Sequence, residues 1–424
     1  MTDLRRTARA LFAAAVARAN PATALAESLK EHPPSLPLPG GRLILVALGK
    51  AAVPMMRQAI EMLPTPDRAI AVTNPENVAD LPDVEVLAGS HPVPNHMSLA
   101  AGAALRAALS NLNAKDRVVA LISGGGSALA VAPAGGLTLA DKTAVTDLLL
   151  GAGIDITEMN LIRQQLSELK GGGLLSAAQP AQVFSYILSD VIGDDLRAIA
   201  SGPTVAPLGS RSMARDCLLS HNLWDGLPHA VRTHLATPED PKQSLADSSV
   251  TSAHLIGSNR HSLIAMRDQA RRDGWAAHIV NDALIGDVEG AATEILTAIQ
   301  AHETSRPTAL ISGGETTVQL TGCGCGGRNQ ELALHIARLG PRALKEHWTF
   351  LSAGTDGRDG PTDAAGGIVD SGTWQRISEN GGNPDALLKN NDSHAALKLS
   401  GDLLITGGTG TNVADVQIML LSRQ

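Results

Sequence analysis

Lys50 follows an apolar run, Arg42 to Leu48, with only Gly49 between, so its ammonium should stand near the start of the next helix, where a backbone dipole already favours an anion. An ordinary solvent-exposed loop lysine is the alternative. A second run, Val118 to Ile122, ends in Ser123-Gly124-Gly125-Gly126-Ser127, and a near copy, Leu310-Ile311-Ser312-Gly313-Gly314-Glu315, returns close to 190 residues later. Consecutive glycines let backbone N–H groups converge on a phosphate without a Cβ in the way, so both runs read as strands ending in phosphate-sized cradles. Tight glycine turns can also cap buried strands for steric reasons alone. Arg328, opening Gly326-Gly327-Arg328-Asn329-Gln330-Glu331, offers a planar fork that binds phosphate or carboxylate in a bidentate way, with Asn329 an amide donor or a helix cap. Aspartates at 190, 194 and 195, and at 356, 359 and 363, sit in loops and supply the oxygen ligands that Mg²⁺ accepts beside phosphates, unless they are merely solvated turns.

Several chemistries fail on spacing. Gly49-Lys50 lacks both the upstream glycine and the following Ser or Thr of a P-loop, and Gly49, Ala51 and Pro54 do not make a dinucleotide fingerprint. The thirteen histidines form no H-x-x-x-H pair. Cys323-Gly-Cys325 has no second Cys or His pair to complete a structural zinc site, and three cysteines do not build a disulfide framework, so a reducing, cytoplasmic compartment is expected.

The elements that must position these residues alternate. Two helices are expected over residues 4 to 30, then a Pro-rich connector from His32 to Pro39, then strand and helix in turn: strands Arg42–Leu48, Ala69–Thr73 and Val84–Ala88, a helix Ser98–Leu109, the first glycine-turn strand, helices Ala140–Leu150 and Asp155–Leu169, and a strand Val183–Leu188 running into Asp190. The polar stretch Thr237 to Ser249 reads as a domain boundary, after which the pattern restarts at Ala253. The tail from Val413 to Leu421 alternates and suggests a hairpin-like end. An open, mostly parallel sheet with helices on both sides follows, its ligands at the carboxyl ends of the strands and a cleft between two parts.

With 424 residues and 44% hydrophobic content the chain can bury large cores, and no segment approaches membrane-spanning length. A net charge of −8 and 2% aromatics count against a polyanion or single-stranded nucleic acid as partner. Arg5-Arg6 followed by Ala10 to Val16 loosely imitates a signal peptide, but Arg18 interrupts a short apolar stretch, so an amphipathic helix is expected.

Taken together, VALGKAA around Lys50, SGGGSAL at Ser123, NLIRQQLSELKGGGL from Asn160, LSDVIGDDLRAIASGPT from Leu188, SGGETTV at Ser312, GGRNQELAL at Gly326, SAGTDGRDGPTDAAGG from Ser352 and TGGTGTNVADV near the end resemble the class II glycerate 2-kinases. Members often carry the label hydroxypyruvate reductase, which leaves an NAD(P)H-dependent reductase as the rival activity. The resemblance implies a larger Rossmann-like doubly wound domain, here 1–245, a smaller α/β domain of MOFRL type, here 246–424, and an active site in the cleft between them. It implies ATP-dependent transfer to the C2 hydroxyl of D-glycerate with Mg²⁺, and catalytic roles for Lys50 and Arg328. Asp190 is the first candidate for base or metal contact, ahead of Glu315 and Asp356, with Asp356 a second metal ligand. The nucleotide contacts expected are Ser123, Gly124, Gly125, Gly126, Ser127, Gly313, Gly314, Glu315 and Asn329. The assembly state is open, a homodimer among the possibilities.

Overall fold

The computed structural model describes residues 4–238, 251–300, 306–344 and 347–422. Most of the boundary stretch Thr237 to Ser249 lies outside them. The chain folds around two six-stranded sheets. The first contains β1 (Leu43–Leu48), β2 (Arg68–Thr73), β3 (Glu85–Ala88), β4 (Arg117–Ile122), β5 (Gln182–Leu188) and β6 (Thr251–Gly257), in the order β3-β2-β1-β4-β5-β6. β1, β2, β3, β4 and β5 run parallel to one another. Strands β1 and β4 are buried at every position because helices cover both faces, which is why each reads as an unbroken apolar run. This order is the Rossmann one, with its topological switch point between β1 and β4.

The second sheet contains β7 (Ala276–Asp287), β8 (Thr308–Thr317), β9 (His347–Gly354), β10 (Gly366–Asp370), β11 (Leu403–Leu404) and β12 (Asp415–Ser422), in the order β11-β10-β9-β12-β8-β7. β7 and β8 are parallel and the remaining pairs antiparallel. The tail is therefore no terminal hairpin. β12 fills the middle of this sheet, antiparallel to both β8 and β9, and its first seven residues are all buried, so the alternation of residue types there does not reflect one wet face.

Two compact units emerge, and they depart from a 1–245 and 246–424 division. One comprises Met1–Thr23, Asp190–Gly193 and Gly257–Gln424, the other Ala24–Ser189 and Asp194–Ile256. The helix Leu4–Arg18 buries Leu4, Ala8, Leu11, Phe12 and Ala15, a stripe at helical spacing, in a core with Leu351, Ile368 and Ile418 of the second sheet. Arg5 fixes it further by ion pairs of 2.6 Å to both Asp370 and Asp402. At the other boundary, β6 extends the first sheet beside β5 instead of opening the second. Helices Leu139–Gly151, Ile156–Gln165, Arg211–Ser220 and His229–Ala236 form a separate apolar cluster around Val145, Leu149, Ile162 and Leu218 in the first-sheet unit. No helix among the described residues is long and apolar enough to cross a membrane.

Candidate active site

The first glycine turn lies where the sequence places it, at the carboxyl end of β4 beside β1. Lys50 is clamped there by its backbone: its N–H donates to the Gly124 carbonyl at 2.9 Å, and its own carbonyl accepts from Asn77 Nδ2 at 2.9 Å and Thr73 Oγ1 at 3.3 Å. Gly49 makes this approach feasible. Its φ is +127°, and a Cβ there would fall 2.2 Å from Ser123 Oγ. Ser123 is buried and its hydroxyl accepts the Ala51 N–H at 3.0 Å, so it locks the two loops together and is not open to a ligand. Gly125, at φ +82°, faces the Lys50 side chain and the His91 ring, each about 3.3 Å from where its Cβ would stand. Burial, then Lys50, hold the His91 imidazole below its usual pKa, favouring the neutral ring. Gly126 is buried against Leu48 and Ala200.

Ser127 closes the turn among cations. Its hydroxyl accepts from Lys170 Nζ at 2.7 Å and Arg163 Nη2 at 3.5 Å, and lies 3.1 Å from Ser201 Oγ. Lys142, donating to the Leu166 carbonyl at 2.8 Å, stands close enough to raise the local positive potential. No carboxylate pairs with Lys142, Arg163 or Lys170 among the described residues. Burial, with Arg163 next, drives Lys142 down to about 7; burial, then Arg163 and Lys142, push Lys170 well below the ordinary lysine range. The sequence reading missed these three. For Arg163 and Lys170 the signal was in NLIRQQLSELKGGGL, where an arginine and a lysine share a segment otherwise destined for burial; Lys142 lies in the earlier helix Leu139–Gly151.

The second glycine run is not a turn. β8 continues through Ser312, Gly313, Gly314 and Glu315 to Thr317, and these residues pair with β12 on one side and β7 on the other. The glycines serve close packing: a Cβ on Gly313 would meet Asn259 Oδ1 at 2.0 Å, and one on Gly314 the Leu284 carbonyl oxygen at 2.1 Å. They do not form the expected phosphate cradle, because their backbone lies within the ladder.

Arg328 does open a helix, Arg328–Ala343, but it is already paired. Its Nε and Nη2 grip Asp415 at 2.5 and 3.1 Å, and Nη1 reaches Glu315 at 2.9 Å, leaving two of its five N–H donors uncommitted. Burial alone would lower its pKa; the hydrogen bonds and charge of Asp415, with Glu315 and Asp359 behind, raise it instead. Asp415, 1% exposed at the start of β12, is the partner the sequence reading missed. Asn329, expected to touch nucleotide, is 1% exposed and spent internally: Nδ2 donates to Asp359 at 3.3 Å and Oδ1 accepts from Ser352 at 2.6 Å. Asp359 accepts the Asn329 and Gln330 N–H groups, capping the helix from a distant loop. Gly327 admits it, since a Cβ there would lie 2.3 Å from the Asp359 carboxyl carbon. Burial raises the Asp359 pKa against the pull of those bonds.

Arg328 lies on a cavity of ≈ 870 Å³ within the second-sheet unit, lined among others by Asp190, Glu315, Thr316, Glu331 and Asn391. That volume suits a nucleotide-sized ligand. Burial raises the Glu331 pKa, against the Asn391 amide that donates to both its oxygens at 3.2 Å. Asp356 is not in that lining. Its Oδ1 accepts the Arg358 N–H, and it shares with Asp415 the space in front of Gly354, the two carboxylates lying 3.0 and 3.5 Å from where a Cβ would be. Among the described residues neither Asp190 nor Asp356 belongs to a trio of metal-type donors within 4.8 Å; the one such trio is Glu158, Cys217 and His221. Cys323 and Cys325 are exposed, free and outside any such group.

A switch-point lysine beside a glycine turn, with Lys170 and Arg163 on the serine that closes the turn, is an arrangement suited to a small anion. The comparisons place it more closely. A family model described as a domain of unknown function, DUF4147, matches residues 7–236, and the MOFRL family model matches 308–415. The glycerate 2-kinase of Pyrococcus horikoshii is 36% identical, with 99% of this chain and 98% of the relative covered. A protein of Agrobacterium vitis named, provisionally, a hydroxypyruvate reductase is 38% identical over 98% of this chain and 94% of its own. The crystal structure of glycerate kinase from Thermotoga maritima superimposes with a TM-score of 0.91 at 36% identity, covering 99% of this chain and all of that one. The chain belongs to the class II glycerate 2-kinase family.

Proposed function

We propose that this chain transfers the γ-phosphoryl group of ATP to the C2 hydroxyl of D-glycerate, giving 2-phospho-D-glycerate and ADP. The observation that carries the reading is Lys50, held by three backbone hydrogen bonds beside Gly124 and Gly125 at the switch point of the first sheet. Phosphoryl transfer passes through a loose transition state with charge spread over three oxygens, so fixed cations achieve most of what a protein can contribute. Lys50 supplies one such charge. Arg328 supplies another through the N–H donors that Asp415 and Glu315 leave over; those carboxylates keep the guanidinium oriented. In this reading Asp190, two residues past β5 and on the cavity wall, accepts the C2 hydroxyl proton.

Mg²⁺ takes one or two carboxylates and completes its octahedron with water and phosphate oxygens, so Asp190, an oxygen-only donor on the cavity wall, would hold it beside the phosphates, with Asp356, outside that lining, the second candidate. Bound with ATP, it would neutralise β- and γ-phosphate charge. The 870 Å³ cavity beside Arg328 is the place assigned to the nucleotide.

The strand order β3-β2-β1-β4-β5-β6 is shared with dinucleotide-binding enzymes, which favours the reductase as a second reading. Against it, the first turn carries a lysine and lacks the glycine triplet that admits a pyrophosphate. Incubation with ATP, Mg²⁺ and D-glycerate, coupled to enolase alone, decides: phosphoenolpyruvate should form promptly. A signal that needs added phosphoglycerate mutase would mean the 3-phosphate, and loss of NADH absorbance with hydroxypyruvate would favour the reductase.

A further inference from the structure

We infer that Arg163, Lys170 and the Ser127 hydroxyl form the subsite for the acceptor's carboxylate, so that this enzyme selects α-hydroxy acids through a buried cationic nest behind the glycine turn. The inference rests on the kinase reading for the identity of the acceptor, and on geometry for everything else. Lys170 is 5% exposed with its Nζ on Ser127 Oγ, and Arg163 reaches the same oxygen. Lys142 adds a third cation nearby. A buried charge without a partner is costly, and proteins pair such groups or leave them for a ligand. Lys170 is buried, and Arg163 and Lys142 are partly so, yet none of the three has an acidic neighbour to serve as partner among the described residues, whereas the nearby Arg106 has Glu168.

The number of donors points to a monoanion: one guanidinium and one ammonium converge on Ser127 Oγ, enough for the two oxygens of a carboxylate and too few for a nucleotide polyphosphate travelling with Mg²⁺. Donor shape agrees: an arginine fork, an ammonium and the Ser127 and Ser201 hydroxyls can surround two planar oxygens. Position completes the argument. Ser127 is two residues past Gly125, against which the Lys50 side chain lies, so the two Cα atoms are at most about 7.6 Å apart. A three-carbon acid whose C1 carboxylate sits at Ser127 can present its C2 oxygen toward Lys50 while C3 points elsewhere, which gives a reason for C2 chemistry.

The test uses Lys170→Met and Arg163→Gln in the full chain. Lys170→Met should raise the KM for D-glycerate tenfold or more, the range for losing one charge-assisted hydrogen bond, while the KM for ATP moves less than about twofold. It should also raise Tm without ligand, because the cost of burying an amine with no acid beside it is gone; a residue there only for structure would lower it. In thermal shift without nucleotide, D-glycerate and D-lactate should stabilise the wild type and glycerol should not, and Lys170→Met should abolish the effect. An unchanged glycerate KM and shift in both variants would overturn the subsite, as would loss of the stabilisation by inorganic phosphate or ATP with that by glycerate retained. If the wild type makes no phosphoglycerate yet hydroxy acids still stabilise it through Lys170, the kinase reading fails and the carboxylate nest stands.

Discussion

At the residue scale, the arrangement separates side chains that can act on a ligand from those spent on holding the fold. Lys50→Ala should cut turnover by roughly 10²-fold or more, equivalent to about 3 kcal/mol of transition-state stabilisation, with the folded state unchanged by circular dichroism. Arg328 is different. Removing it strands Asp415, 1% exposed, without its cation, so Arg328→Ala should lose about 3 kcal/mol of stability as well as activity. Arg328→Ala combined with Asp415→Asn should recover a large part of the stability, read as the urea midpoint, and none of the activity. Equal midpoints for the single and double variants would show that the pair carries no such burden. Asn329 lies outside both roles as a ligand contact: Asn329→Ala should act through the cap and the Ser352 bond.

Between elements, glycines mark the places where two backbones touch. A Cβ at Gly49 would enter the space of Ser123 Oγ, and a Cβ at Gly314 that of the Leu284 carbonyl. Gly49→Ala should therefore disturb the β1–β4 junction and lower both Tm and turnover, and Ser123→Ala in the same chain should relieve only part of it, since the Ser123 carbonyl oxygen lies 2.3 Å from the same point and φ remains positive. Full rescue by Ser123→Ala would contradict this. Much of the frame was legible. Buried parallel strands such as Val118–Ile122 read as continuous apolar runs, and Lys50 could be placed at a strand end from its neighbours alone. The second glycine run misled because SGG after an apolar stretch looks the same whether the chain turns or continues; what decides is β7 and β12, over 25 and 100 residues away in sequence, lying against it. β10 escaped notice for a related reason, as Gly366 and Gly367 dilute a five-residue strand. Nor could Asp359 be singled out among the loop aspartates, since its role depends on the distant helix it caps.

Across the whole molecule, uncompensated buried cations leave a signature in the stability curve. Lys142 has a pKa of about 7 in the folded chain against 10.5 as a free side chain, and Lys170 shifts in the same direction. Between these values the unfolded chain binds more protons than the folded one, so stability should rise as pH increases from about 7 toward 10. Above that range Tyr186, raised to about 12 from 10.0 by burial, opposes the trend, because the unfolded tyrosine ionises first. Urea midpoints across pH 7 to 10 should climb in the wild type and climb less steeply in Lys142→Met, where Lys170 still contributes; a flat wild-type profile would contradict the charge assignment. The chain's first helix carries a separate lesson in scale. Leu4–Arg18 precedes the first sheet in sequence and packs in the core of the second, which its amphipathic pattern announces as burial without naming the partner.

The central claim is phosphoryl transfer to C2 of glycerate, and the most direct measurement is proton-coupled ³¹P spectroscopy of the product formed from ATP, Mg²⁺ and D-glycerate. A single phosphomonoester resonance split as a doublet, by the one proton on C2, is the predicted result; a triplet, from the two protons on C3, or no new phosphomonoester at all would contradict the account.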